Sequence, residues 1–180
     1  MKLAAVERLD RDHRLEEFDC GSQAQNDWLR RQALQSQFAE TARVYAVRDV
    51  DADEVMGYYA LTAGQVRPDE VPVRWLKGVG LYAQPVVLLA RLGVDLRAQG
   101  RGLGRALVTD AMRRVMSVAD RIGVRALLIH CEDESARDFC LRLARFENSP
   151  ADPLQLILRI KDLRRAVAAS VEPGQGPVGT

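Results

Sequence analysis

Histidine and cysteine are scarce in this chain of 180 residues: two of the former (His13, His130) and three of the latter (Cys20, Cys131, Cys140). None of them has the spacing of metal ligands, so no metal is expected and the cysteines read as structural thiols. No apolar run reaches the roughly 18–20 residues of a membrane span. The N-terminal MKLAAVERLDRDHRLEEFD carries too much charge for a secretory leader, and a cytoplasmic protein is expected. Lysine is nearly missing, since Lys2, Lys77 and Lys161 are the three lysines among 26 basic residues. Without a Lys-Ser or Lys-Thr pair there can be no P-loop of the G-x-x-x-x-G-K-[ST] kind.

With 25 acidic residues the net charge is +1, so bulk electrostatics announce no polyanionic partner. The arginines are nevertheless clustered: Arg30–Arg31, Arg113–Arg114, then Arg137, Arg142 and Arg145, and finally Arg159, Lys161, Arg164 and Arg165. Gathered on one side of a fold, these forks suit phosphates; spread over solvated faces, they bind nothing in particular. Composition leaves both readings open. An apolar share of 47% suffices for the core of one domain at this length. That domain is assigned to residues 1–169, and the Gly/Pro-rich end, 170–180, to a disordered tail.

Along the chain, LAAVERL reads as a short strand, and Ser22 with Gln25 forms a capping box that opens a helix to about Phe38. ARVYAVRD and VMGYYALTAG form a hairpin across the turn VDADE. Residues 67–84 make a long irregular connector, and long connectors in compact domains are often functional. PVVLLARLGVD is a buried strand, 102–120 a helix, VRALLIHC a strand and ESARDFCLRLARF a helix with Ala136, Phe139, Cys140 and Leu143 on its apolar face. LQLILRI completes the sheet, and the basic helix KDLRRAVAA follows. The arrangement is α+β.

The segment DLRAQGRGLGRALVTDAMRRV sets Gly100, Gly102 and Gly104 at every second position before Leu103, Leu107, Ala111, Val115 and Val118 at helical spacing. A bare turn thus opens a helix, whose free N–H groups and positive dipole end suit a phosphate. The dinucleotide fingerprint G-x-G-x-x-G fails, because Arg105 stands at its last position. What remains, Gln99-x-x-Gly102-x-Gly104 after LLARLGVDLRA, resembles the pyrophosphate signature of GNAT N-acetyltransferases. Together with FDCGSQAQNDWLRRQA, VMGYYALTAG, IGVRALLIHCEDESARDF and SPADPLQLILRIKDLRRA, in that order, it resembles the TacT-like toxins of bacterial toxin–antitoxin modules.

That resemblance implies a GNAT fold with a mixed central sheet of six to seven strands flanked by helices. It implies acetyl transfer from acetyl-CoA to the α-amino group of aminoacyl-tRNA, which blocks translation. It also implies an antitoxin, of ribbon-helix-helix type, and a homodimer. Acetyl-CoA would lie on Leu92, Gly93 and Val94 and on Gln99, Gly100, Arg101, Gly102, Leu103, Gly104 and Arg105, with backbone N–H groups from Gln99 to Arg105 taking the pyrophosphate. The family's acid is a tyrosine in a motif like F-Y-x-R-F-G-F. Here the sequence is Phe139-Cys140-Leu141-Arg142-Leu143-Ala144-Arg145-Phe146, so Cys140 stands at the tyrosine's place. Cys140 is then either a proton donor or a small core residue. His130, Glu132, Asp133, Glu134 and Tyr82 are further candidates for handling protons, whereas Tyr58 and Tyr59 suit core or groove walls. Acetylation of a protein N-terminus or small amine, and a CoA-binding pseudoenzyme, are the alternatives.

Overall fold

The structure, a computed structural model, describes residues 1–170; the expected tail, but for Ser170, lies outside them. Seven strands form one mixed sheet in the order β1-β2-β3-β4-β5-β7-β6. These are β1 (Glu7–Arg8), β2 (Arg43–Asp49), β3 (Glu54–Val66), β4 (Gln84–Val94), β5 (Ala126–His130), β6 (Glu147–Asn148) and β7 (Gln155–Arg159). The β4–β5 pair is parallel and the other neighbours are antiparallel. The expected hairpin is β2–β3, its turn closing at Asp53 with a positive φ of 54°.

The apolar run VMGYYAL lacks alternation because both faces of β3 are covered. Met56, Tyr59 and Leu61 enter one core with Leu103, Leu107, Ala111 and Val115 of α3 (Leu103–Ala119). Val55, Tyr58 and Ala60 enter a second core with Phe18, Leu29 and Ala33. That second face is covered by α1 (Gln23–Arg31) and α2 (Ala33–Phe38), the single helix of the sequence reading broken at Gln32, whose φ is −121°. Ser22 caps α1 by accepting from the Gln25 N–H at 3.4 Å. The reciprocal half of the expected capping box is not made: the Gln25 side-chain oxygen faces the Tyr58 hydroxyl at 3.0 Å, a buried phenol that needs an acceptor.

The helix α4 spans Glu134–Leu143 and stops at Ala144, whose extended backbone leads to buried Phe146 and the unforeseen two-residue β6. The last helix, α5 (Ile160–Ala169), packs against α3 through Leu163 and Val167. In the 67–84 connector two short 3-10 turns, Pro68–Glu70 and Val73–Leu76, seat Trp75 in a third, smaller core.

Candidate active site

The site begins where two strands part. β4 and β5 pair only from Val86↔Ala126 to Leu89↔Ile129, although β4 continues to Val94. On its other edge β4 stays paired with β3 up to Val94↔Gly57, with a register shift that leaves Ala90 as the extra residue between Leu89 and Arg91. A bulge bends and twists its strand. The edge of Ala90–Val94 that faces β5 is therefore left without a ladder, and an extended chain of amides could pair with it.

Below this edge the chain turns through Asp95, a carboxylate only 1% exposed. It accepts from the N–H of Arg97 (2.9 Å), from the Arg97 guanidinium (2.8 Å) and from the N–H of Asp19 (3.1 Å). Burial pushes this carboxyl up, but the Arg97 and Asp19 hydrogen bonds outweigh it and hold the group below the ordinary carboxylate range. Arg97 also reaches Glu54 at 2.6 Å, so this arginine is spent on structure. Sequence reasoning passed over Asp95, whose only signal was an aspartate two residues ahead of an arginine at a strand end.

The glycine turn comes next. Gly100 and Gly102 have φ of 72° and 82°, a backbone that costs an ordinary residue about 1–2 kcal/mol. The Gln99 side chain donates to the carbonyls of Val94 (2.9 Å) and Cys20 (3.2 Å), pinning the turn against β4. One expectation is corrected: the Gln99 N–H is taken by the Asp95 carbonyl at 3.1 Å, because a short 3-10 turn (Leu96–Ala98) precedes it. The N–H groups of Gly100 to Arg105 make no backbone hydrogen bond among the described residues and remain available at the start of α3.

A cleft of about 620 Å³ joins these features. Leu92, Gly93, Val94, Gln99, Gly100, Gly102, Leu103, Gly104 and Arg105 line it, together with Ser22, Glu132, Phe139 and Arg142, which the sequence reading had not given to the donor. Arg101 is absent from that wall; it is exposed and turns to the Met1 sulfur, 3.9 Å away. Glu132 accepts from the Ser22 hydroxyl at 2.6 Å, linking the turn after β5 to the start of α1. Asp133 caps α4 through the Ala136 N–H (2.8 Å), and Glu134 lies 3.8 Å from Arg137, so both serve the helix. Tyr82 is exposed on the connector; Tyr58 and Tyr59 are buried core residues.

Cys140 lies deeper, 3% exposed, on a small cavity of about 80 Å³ that it shares with Leu89–Leu92, His130, Cys131 and Glu132. The neighbouring Cys131 thiol and burial push the Cys140 thiol far up. Beside the cleft, sharing Arg105 and Arg142 with it, runs a groove of about 660 Å³ between α3, α4 and α5. Arg145 and Arg165 stand on its walls too. The clusters do not merge: Arg159 and Lys161 lie in a separate pocket with Arg74, Lys77 and Arg125, and Arg164 pairs with Asp120 at 2.6 Å.

Residues 4–144 match the acetyltransferase (GNAT) family. The tRNA-acetylating toxin of Mycobacterium tuberculosis is 40% identical over 151 residues, 83% of this chain and 88% of that protein. AtaT complexed with acetyl-methionyl-tRNAfMet is similar in structure, with a TM-score of 0.83 at 28% identity over 91% of this chain and 98% of the other. An AtaT toxin carrying phenylalanine for tyrosine, bound to the C-terminus of the antitoxin AtaR and acetyl-CoA, gives a TM-score of 0.77 at 27% identity over 93% and 99%. A cleft built on a splayed strand pair and a glycine turn, in a chain related to these proteins over most of its length, leads to one conclusion: the protein belongs to the acetyltransferase (GNAT) family.

Proposed function

We propose that this protein transfers acetyl from acetyl-CoA to the α-amino group of an aminoacyl-tRNA in the cytoplasm, stopping translation until an antitoxin covers it. The observation that carries this reading is the 40% identity, over most of both chains, to a tRNA-acetylating toxin. AtaT, also similar to this chain, forms complexes with acetyl-methionyl-tRNAfMet and with the C-terminus of its antitoxin AtaR and acetyl-CoA, partners that match this reading. By the same resemblance the antitoxin is of ribbon-helix-helix type and the toxin a homodimer.

In this reading the N–H groups from Gly100 to Arg105 hold the pyrophosphate at the positive end of α3. Leu92, Gly93 and Val94 pair with the pantetheine amides, and one of their N–H groups stabilises the oxyanion of the attacked thioester. The acceptor needs little base, since an α-amino group has a pKa of about 7.7–8.0 and is partly neutral at cytoplasmic pH. Positioning supplies most of the rate. The departing thiolate takes its proton from Cys140 or from water. A second reading, a pseudoenzyme that retains coenzyme binding, is favoured by the deep burial of Cys140 where relatives carry a phenol.

Single-turnover transfer of labelled acetyl to charged tRNA, uncharged tRNA and a peptide amine separates these readings. Transfer to charged tRNA alone is expected. Cys140→Ala should slow it by roughly a hundredfold or more if the thiol is the acid. If the thiol is a packed remnant, the wild type is already slow and Cys140→Tyr accelerates it. Equal transfer to the peptide amine would overturn the tRNA assignment, and no transfer at all with intact acetyl-CoA binding would leave the pseudoenzyme.

A further inference from the structure

Cys131, the first residue after β5, and Cys140, in the second turn of α4, belong to one core cluster and open onto the same small cavity. Both are reduced, and both are nearly buried, at 8% and 3% exposure. We propose that they form a reversible disulfide site in the acetyl-donor pocket, oxidised by small peroxides.

Three observations carry this. Both thiols line one small cavity and each is the strongest perturber of the other, so bonding requires the sulfurs to close across it to the disulfide length of about 2.05 Å. The cavity of about 80 Å³ shares Gln25, Leu92, Glu132, Ala136 and Phe139 with the large cleft. It exceeds the roughly 30 Å³ share of a liquid water, so a peroxide fits where a bulky thiol reagent does not. Finally, the two thiols are unequal. The Cys140 thiol pulls the Cys131 thiol down against its burial, with help from Arg137, which favours Cys131 as the nucleophile and Cys140 as its resolving partner.

The chemistry balances with hydrogen peroxide as the oxidant. The Cys131 thiolate attacks the O–O bond, an S–O bond forms, and hydroxide leaves. The Cys140 sulfur then displaces the hydroxyl from Cys131; the S–S bond forms, and the thiol proton departs with that hydroxyl as water. Two thiols and one peroxide become a disulfide and two waters. The bridge ties α4 to the end of β5 and removes the Cys140 proton from the pocket.

The test is intact-mass and peptide analysis of the full chain after peroxide, with and without saturating acetyl-CoA. The protein should lose two hydrogens, recover them with dithiothreitol, and yield one peptide pair bridged from Cys131 to Cys140. Cys20→Ser should behave alike, while Cys131→Ala and Cys140→Ala should not form the bridge. No loss of hydrogens, a bridge through Cys20 or between two molecules, or a Cys131 that stops at the sulfinic acid would overturn the proposal. Acetyl-CoA should slow the reaction at least several-fold, an arm that rests on the function proposed above. Bridging without such protection would count against the donor's placement and leave the disulfide site standing.

Discussion

At the scale of one residue, Asp95 joins three pieces of chain that the cleft requires: the end of β4, the glycine turn, and the segment before α1, through the Asp19 N–H. Because its folded pKa lies below the unfolded value, its contribution is complete above about pH 4 and is lost as pH falls through the folded value. Asp95→Asn should therefore cost about 1–3 kcal/mol near neutral pH, where Arg97 and the Asp19 N–H lose a charged acceptor. It should also flatten the acid side of the stability curve. Thermal unfolding from roughly pH 7 to pH 2 measures both, and a variant with the wild-type acid limb would deny Asp95 this role. Arginine is equally instructive at this scale. The three arginines around the glycine turn look equivalent in sequence, yet Arg97 is spent on Asp95 and Glu54, Arg101 turns to Met1, and only Arg105 lines the cleft.

Elements were more legible than their junctions. α3 was readable because its apolar spacing and the glycines ahead of it are local signals, and the β2–β3 hairpin because VDADE separates two β-rich runs. The parting of β4 from β5 was not, since it depends on register between strands more than 30 residues apart and on a bulge at Ala90 that no local pattern marks. The same holds for β6, two residues placed by the burial of Phe146, and for the break at Gln32. For the candidate site, the loop residues read from the sequence line the cleft except Arg101, and the opposite wall, Ser22 and Glu132, was missed as a pair because they lie 110 residues apart. The junction between turn and helix is open to a direct test. Gly102 has a positive φ of 82° and nothing within 4 Å of an added Cβ, so Gly102→Trp should leave the fold standing at a cost of about 1–2 kcal/mol. The indole would nevertheless obstruct the N–H groups of Gly100 to Arg105. Calorimetry should show acetyl-CoA binding abolished, and an unchanged affinity would remove the turn from the donor site.

Over the whole molecule the net charge of +1 conceals a division. Acidic groups neutralise some arginines locally, as Asp120 does for Arg164; Asp162 divides a single charge between Arg159 and Arg165, which leaves positive charge there, and Arg105, Arg142 and Arg145 make no ion pair among the described residues. Those three stand around the groove between α3, α4 and α5, next to the cleft, so cationic charge concentrates where an acceptor RNA would approach an acetyl donor. The sequence could show the clusters but not this sorting, because pairing depends on which carboxylates the fold brings near. Arg145 and Arg165 line the groove without lining the cleft, which makes them the informative pair. If the groove carries RNA phosphates, Arg145→Ala with Arg165→Ala should weaken tRNA binding and lower the slope of log K against log salt by about 1–2, near the 0.7–0.9 expected per lost phosphate contact. Acetyl-CoA affinity should not move. Arg164→Ala, whose side chain is already paired with Asp120 outside the groove, should change the slope little. A slope unaltered in the double variant would place the RNA elsewhere on the molecule, and a loss of acetyl-CoA binding alongside it would mean that groove and cleft form one donor site.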